Sequence, residues 1–136
     1  MKKVLKLLIF LLLLLSIESC KDFHPFERGY RFWIENESDD LIYFLVSYSY
    51  PDTIIPDSYD KIKGVSVGSE TPYDSDDPWE EVFEELPSDT LSIFIFDGDS
   101  IDESNWQEIR EGYKILKRFD ISYDDLKQNK WIVTYP

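Results

Sequence analysis

The stretch Leu91-Ser92-Ile93-Phe94-Ile95-Phe96 is apolar on both of its alternating faces except at Ser92. Successive side chains of a strand point to opposite sides of a sheet, so such a strand is stable only when both sides are covered. It is expected to be the central strand of the fold. Two further runs, Tyr30-Arg31-Phe32-Trp33-Ile34 and Leu41-Ile42-Tyr43-Phe44-Leu45-Val46, are β-branched and aromatic and flank the polar stretch Asn36-Glu37-Ser38-Asp39-Asp40. That pattern predicts a β-hairpin with a five-residue loop, the second strand running on through Tyr48 and Tyr50 to Pro51.

Residues 51–60 hold two prolines and three aspartates without a period and read as a surface loop. A short strand is expected at Ile62–Val67. Asp77-Pro78-Trp79-Glu80 predicts a helix start, with Asp77 as N-cap and Pro78 in the first helical position. Trp79, Val82, Phe83 and Leu86 then form one apolar stripe, which Pro87 ends. Ser104-Asn105-Trp106-Gln107 predicts a second helix, with Trp106, Ile109, Tyr113 and Leu116 on one face and Lys114, Lys117 and Arg118 in its last turns. Ser122-Tyr123-Asp124-Asp125 predicts one more short helical turn before a last strand at Trp131–Tyr135. The order implies a single α+β domain: one mixed, mostly antiparallel sheet of about five strands with two to three short helices, and a parallel crossover towards the C-terminus. A β-sandwich is the alternative if the helices are shorter than their patterns.

Ahead of this domain, Lys2, Lys3 and Lys6 precede a leucine-rich run that reaches Ser19 and Cys20. This is the layout of a secretory signal. The 11 residues Leu7–Ile17 fall short of the roughly 20 needed to span a bilayer. Ile17-Glu18-Ser19-Cys20 resembles the lipobox of bacterial lipoproteins, in which a cysteine receives diacylglycerol before the leader is cut away. The resemblance implies a signal peptide at residues 1–19, lipid attachment on Cys20 with a tether over residues 20–29, and a globular domain over residues 30–136. Several acyl chains on one sulfur-bearing residue would hold the protein on a membrane, where one chain binds only marginally. Cys20 is the lone cysteine of the chain, so its acylation would leave no thiol for a disulfide.

Loss of three lysines and one glutamate from the 14 basic and 28 acidic residues leaves a formal charge of about −16 on the mature part. A surface this negative repels a phosphate backbone and argues against nucleic-acid partners. It also favours a soluble, monomeric domain.

Few residues invite chemistry. Asp97-Gly98-Asp99-Ser100-Ile101-Asp102-Glu103 follows the central strand, and on a calcium-loop template Asp97, Asp99 and Glu108 take the first, third and twelfth positions. Ile101 and Asp102 break that template, so the expectation is weak Ca²⁺ binding at most and no other cofactor. The bland alternative is a polar turn whose acids favour the next helix N-terminus. A carboxylate pair for glycan hydrolysis can be drawn from many acids, and sequence does not say which converge. His24 is the one histidine and lies in the tether, which argues against Ser-His-Asp and Cys-His catalysis and against zinc. Aromatic residues make up 16% of the chain. Most belong to the core, but Trp33, Tyr43, Tyr48 and Tyr50 are expected to crowd one exposed sheet face suited to a glycan or protein partner.

Three stretches carry a broader resemblance: Tyr50-Pro51-Asp52-Thr53, the run Leu86–Phe96, and Ile115-Leu116-Lys117-Arg118 together with Trp131 to Pro136. On these the chain resembles the small lipoproteins abundant in Bacteroides-type Gram-negative bacteria, a group without an assigned activity. The resemblance implies an outer-membrane or cell-surface location, with a periplasm-facing orientation still open. The expected function is that of a membrane-anchored envelope protein acting by binding. A purely structural envelope role and a carboxylate-based hydrolase are the rivals.

Overall fold

The structure, a computed structural model, describes residues 30–136. The expected signal segment, Cys20 and the tether lie outside the described residues. Residues 30–136 fold as an α+β domain of seven strands in two mostly antiparallel sheets with three short helices, and these sheets do not close into a barrel. The strands are β1 (Tyr30–Asn36), β2 (Ile42–Ser47), β3 (Lys63–Val65), β4 (Glu70–Ser75), β5 (Thr90–Asp97), β6 (Lys117–Ser122) and β7 (Ile132–Tyr135); the helices are α1 (Trp79–Glu85), α2 (Trp106–Glu111) and α3 (Tyr123–Gln128). One sheet has the order β4-β1-β7 and the other β3-β2-β5-β6.

The central-strand expectation holds for β5, which pairs with β2 on one side and β6 on the other. Its two faces feed two separate cores. Leu91, Ile93 and Ile95 join Ile42, Phe44 and Val46 of β2 and Phe32 and Ile34 of β1 in a cluster that also takes in Trp79, Phe83 and Leu126 from the helices. Phe94 and Phe96 join Leu45, Ile55, Trp106 and Ile109 in a second cluster, roofed by α2 and the loop after β2. The surface loop expected over residues 51–60 therefore contributes one fully buried side chain, Ile55.

Four expectations need correction. The two N-terminal strands are not a hairpin: β1 pairs with β4 and β7, while β2 pairs with β3 and β5 in the facing sheet. Alternation tells which face of each strand is apolar, but not whether two strands lie side by side or face each other across a core. Asn36 decides the matter. Its fully buried amide donates to the Asp40 carbonyl at 2.8 Å and the Val65 carbonyl at 3.0 Å, and its oxygen accepts from the Ser38 amide and hydroxyl. These bonds turn the chain from one sheet into the other.

Second, a single mixed sheet was expected where there are two, because β4 (Glu-Thr-Pro-Tyr-Asp-Ser) and β6 (Lys-Arg-Phe-Asp-Ile-Ser) lack the β-branched density that marks a strand. β2 also stops at Ser47, short of Tyr48 and Tyr50. Third, α2 is shorter than its stripe. Gly112 caps it, and Tyr113 follows with φ of 50°, so Lys114 lies beyond the helix and Lys117 and Arg118 belong to β6. Fourth, the one parallel pairing among the described strands joins the first and last of them, β1 and β7, while β5 and β6 are antiparallel.

Helix starts shift by a residue or two. Pro78 rather than Asp77 is the N-cap of α1. Asp102 and Asn105 form the capping box expected at Ser104, on a 3-10 turn that leads into α2. The expected turn at Ser122 is α3, with Ser122 and Asp125 as a reciprocal cap.

Strand directions give the domain two unlike ends. Asn36 pairs with Tyr135, the Gly68 amide donates to the Asn36 carbonyl, and the Gly98 amide donates to the Leu41 carbonyl at 2.9 Å. Asp97 pairs with Ile42 at that same end. Tyr30 and its partner Ser75 lie at the other end of β1, about 20 Å away at the strand rise.

Candidate functional site

The loop after β5, helix α2 and the Lys114–Leu116 segment enclose a cleft of about 340 Å³ at the end remote from Tyr30. This volume is near the lower limit for pockets that take small ligands. Phe96, Ile109 and Ile115 supply its apolar wall, while Asp97, Ser100, Asn105, Glu108 and Lys114 supply its polar one.

Each polar side chain is held by local bonds. Asp97 ends β5 and folds the loop around itself: its carboxylate accepts from the Asp99 amide at 3.1 Å and the Ser100 hydroxyl at 2.5 Å. The Asn105 amide group donates to the Ser100 carbonyl at 2.6 Å and accepts from the Asp102 amide at 3.0 Å, which clamps the loop to the start of α2. Glu108 forms an ion pair with Lys114 across the Gly112 turn. Gly98 is obligatory here because a Cβ would stand 2.3 Å from the Leu41 carbonyl oxygen.

The electrostatics follow from these contacts. The Ser100 hydroxyl, and then the Asp99 amide, hold the Asp97 carboxyl below its ordinary range. The Lys114 ammonium does the same for Glu108. Both groups are therefore anionic at neutral pH. Glycoside hydrolysis needs one carboxyl kept protonated by burial or by a like charge, and neither carboxyl in this cleft has such surroundings.

The candidate calcium ligands are only partly brought together. Asp97 and Glu108 line the same cleft, but Asp99 does not, and both lining carboxylates already accept bonds from the protein. Among the described residues no group of three or more His, Cys, Asp or Glu side chains is positioned to hold a metal ion. The sequence pattern missed Ser100, Asn105 and Lys114. The Asp-x-x-Asn spacing of Asp102 and Asn105 could have marked the clamp, whereas Lys114 was hidden by the overlong helix.

The aromatic face also dissolves into separate places. Trp33 lies on the outer side of the β4-β1-β7 sheet, where the Arg31 guanidinium stands 5.6 Å from its ring centre. Tyr43 lies on the other sheet and packs against the second core. The Tyr48 and Tyr73 hydroxyls meet at 3.1 Å, and Tyr73 in turn packs on Phe32 and Trp79. Tyr50 follows β2 in a half-buried turn.

No family, no curated protein and no solved structure matches this chain. No helix among the described residues is long and apolar enough to cross a membrane.

Proposed function

We propose that this protein is a lipid-anchored binding module of the cell envelope, tethered through Cys20 and engaging its ligand at the end that carries the Asp97–Glu108 cleft. The observation that supports this reading is the polarity of the domain. The chain enters β1 at Tyr30, next to Ser75, while the cleft and the 36–41 and 97–105 loops gather at the opposite end. A tether attached at Tyr30 leaves that far end free to meet a partner.

Two measurements test the reading. Metabolic labelling with an alkyne fatty acid, followed by mass spectrometry, is expected to find a mature chain that begins at an acylated Cys20, and Cys20→Ser is expected to move the protein to the soluble fraction. A bare sulfur or a retained leader would sink the anchor. With the protein on vesicles that carry a lipid quencher, a fluorophore at Ser75 is expected to be quenched more strongly than one at Ser100. Equal quenching would sink the orientation.

A further inference from the structure

The open edges of the two sheets differ sharply. β3 is three residues long, β7 is four and is followed by Pro136, and β4 carries Pro72 in its middle, which removes a backbone donor. β6 is the exception. It runs six residues without proline at the end of the β3-β2-β5-β6 sheet, and among the described residues no hydrogen bond reaches the outer side of Lys117–Ile121. An uncovered strand edge of that length is a template for another strand.

We propose that β6 pairs antiparallel with β6 of a second copy of this chain about a two-fold axis at Phe119, joining two four-stranded sheets into one of eight. The side chains favour this occupant. Arg118 and Asp120 lie on one face of β6, two residues apart, and pair at 2.7 Å. An antiparallel register centred on Phe119 sets Arg118 of each copy opposite Asp120 of the other, so four charges of alternating sign form a square. Directly opposed strand side chains stand about 5 Å apart, close enough for both new pairs to form. On the other face, half-buried Phe119 meets its own symmetry mate, and the Lys117 ammonium, now 4.5 Å from the centre of the Phe119 ring, stays beside the aromatic pair. A self-complementary strand of this kind forms the isologous contact that a two-fold dimer requires. The contact does not depend on the anchor.

Sedimentation equilibrium of the full chain in density-matched detergent, from about 10 µM to about 1 mM, is expected to follow a monomer–dimer equilibrium. Arg118→Asp and Asp120→Arg are each expected to weaken it about tenfold or more, because each sets like charges against each other at two places. An equimolar mixture of the two variants is expected to restore the dimer, since every opposed pair then has opposite signs. The alternate amides of Lys117–Ile121 that point away from β5 are expected to gain protection from hydrogen exchange with concentration. Asp120 also accepts a bond from the buried Ser92 hydroxyl at 2.6 Å, so near-UV circular dichroism checks that Asp120→Arg is folded. If it is not, Arg118→Asp, expected to dissociate, is compared with Arg118→Lys, expected to stay paired. A chain monomeric over the whole range, or a dimer indifferent to these substitutions, overturns the proposal.

Discussion

At the scale of single residues, the fold is steered by a few small or polar side chains rather than by its many aromatics. Asn36 is completely buried yet satisfies the carbonyls of Asp40 and Val65, which belong to the loop and the sheet it is directed towards. Asn36→Ala would strand both acceptors in the interior, at a cost of about 2–4 kcal/mol; a fall in the urea midpoint with an unchanged slope is the expected result. Gly98 is constrained by space rather than by dihedral angle. Gly98→Ala drives a Cβ into the Leu41 carbonyl and is expected to cost about 3 kcal/mol or more. Gly68 gives the contrast: nothing lies within 4 Å of a Cβ there, but its φ is 65°. Gly68→Ala should therefore cost about 1 kcal/mol through strain alone. If the two variants melt alike, the close approach of Leu41 is not what restrains the loop.

At the scale of elements, what could be read in advance tracks how far each element is stabilised by its own side chains. β1, β2 and β5 are dense in apolar residues on at least one face and were legible. β4 and β6 are half-exposed, mixed in polarity and held mainly by backbone pairing with β1 and β5, which leaves little trace in a local pattern. Short helices here depend on their caps. Ser122→Ala removes the acceptor for the Asp125 amide and is expected to destabilise the domain by about 1 kcal/mol. The caps also set an acid limit. The hydroxyls of Ser100, Ser104 and Ser122 hold Asp97, Asp102 and Asp125 below the ordinary carboxylate range, and Lys114 does so for Glu108. Groups whose folded pKa is depressed contribute stability that is complete above the unfolded value and lost as pH falls through the folded one. Thermal melts are therefore expected to drop below about pH 4, and the drop should be shallower in an Asp102→Asn/Asp125→Asn variant. Equal slopes would show that the acid limit arises elsewhere.

At the scale of the whole molecule, β5 is the shared wall between two cores. Ile93 faces one cluster and Phe94 the other, and both are fully buried. Ile93→Ala and Phe94→Ala are each expected to cost about 2–5 kcal/mol, a large part of a domain's total stability. Because one strand belongs to both cores, either variant should shift a single transition, with near- and far-UV signals coincident. Two separated transitions would show that the clusters melt independently. The same arrangement positions the cleft, since β5 ends at Asp97 and the return through α2 to β6 closes the pocket beside it.

The chain's own pattern determined that β5 would be covered on both sides, that α1 would start near Pro78 with a stripe ending at Pro87, and that the domain would mix strands with short helices. These are local matters of alternation, stripe and cap, encoded within a few residues. Only the tertiary structure decided that β1 and β2 face each other instead of pairing, that β7 returns beside β1, and that Asp97 and Glu108 share a cleft with Lys114. Those outcomes rest on contacts between residues far apart in the chain, among them the bond from the buried Asn36 amide to the Val65 carbonyl, which alternation alone does not encode.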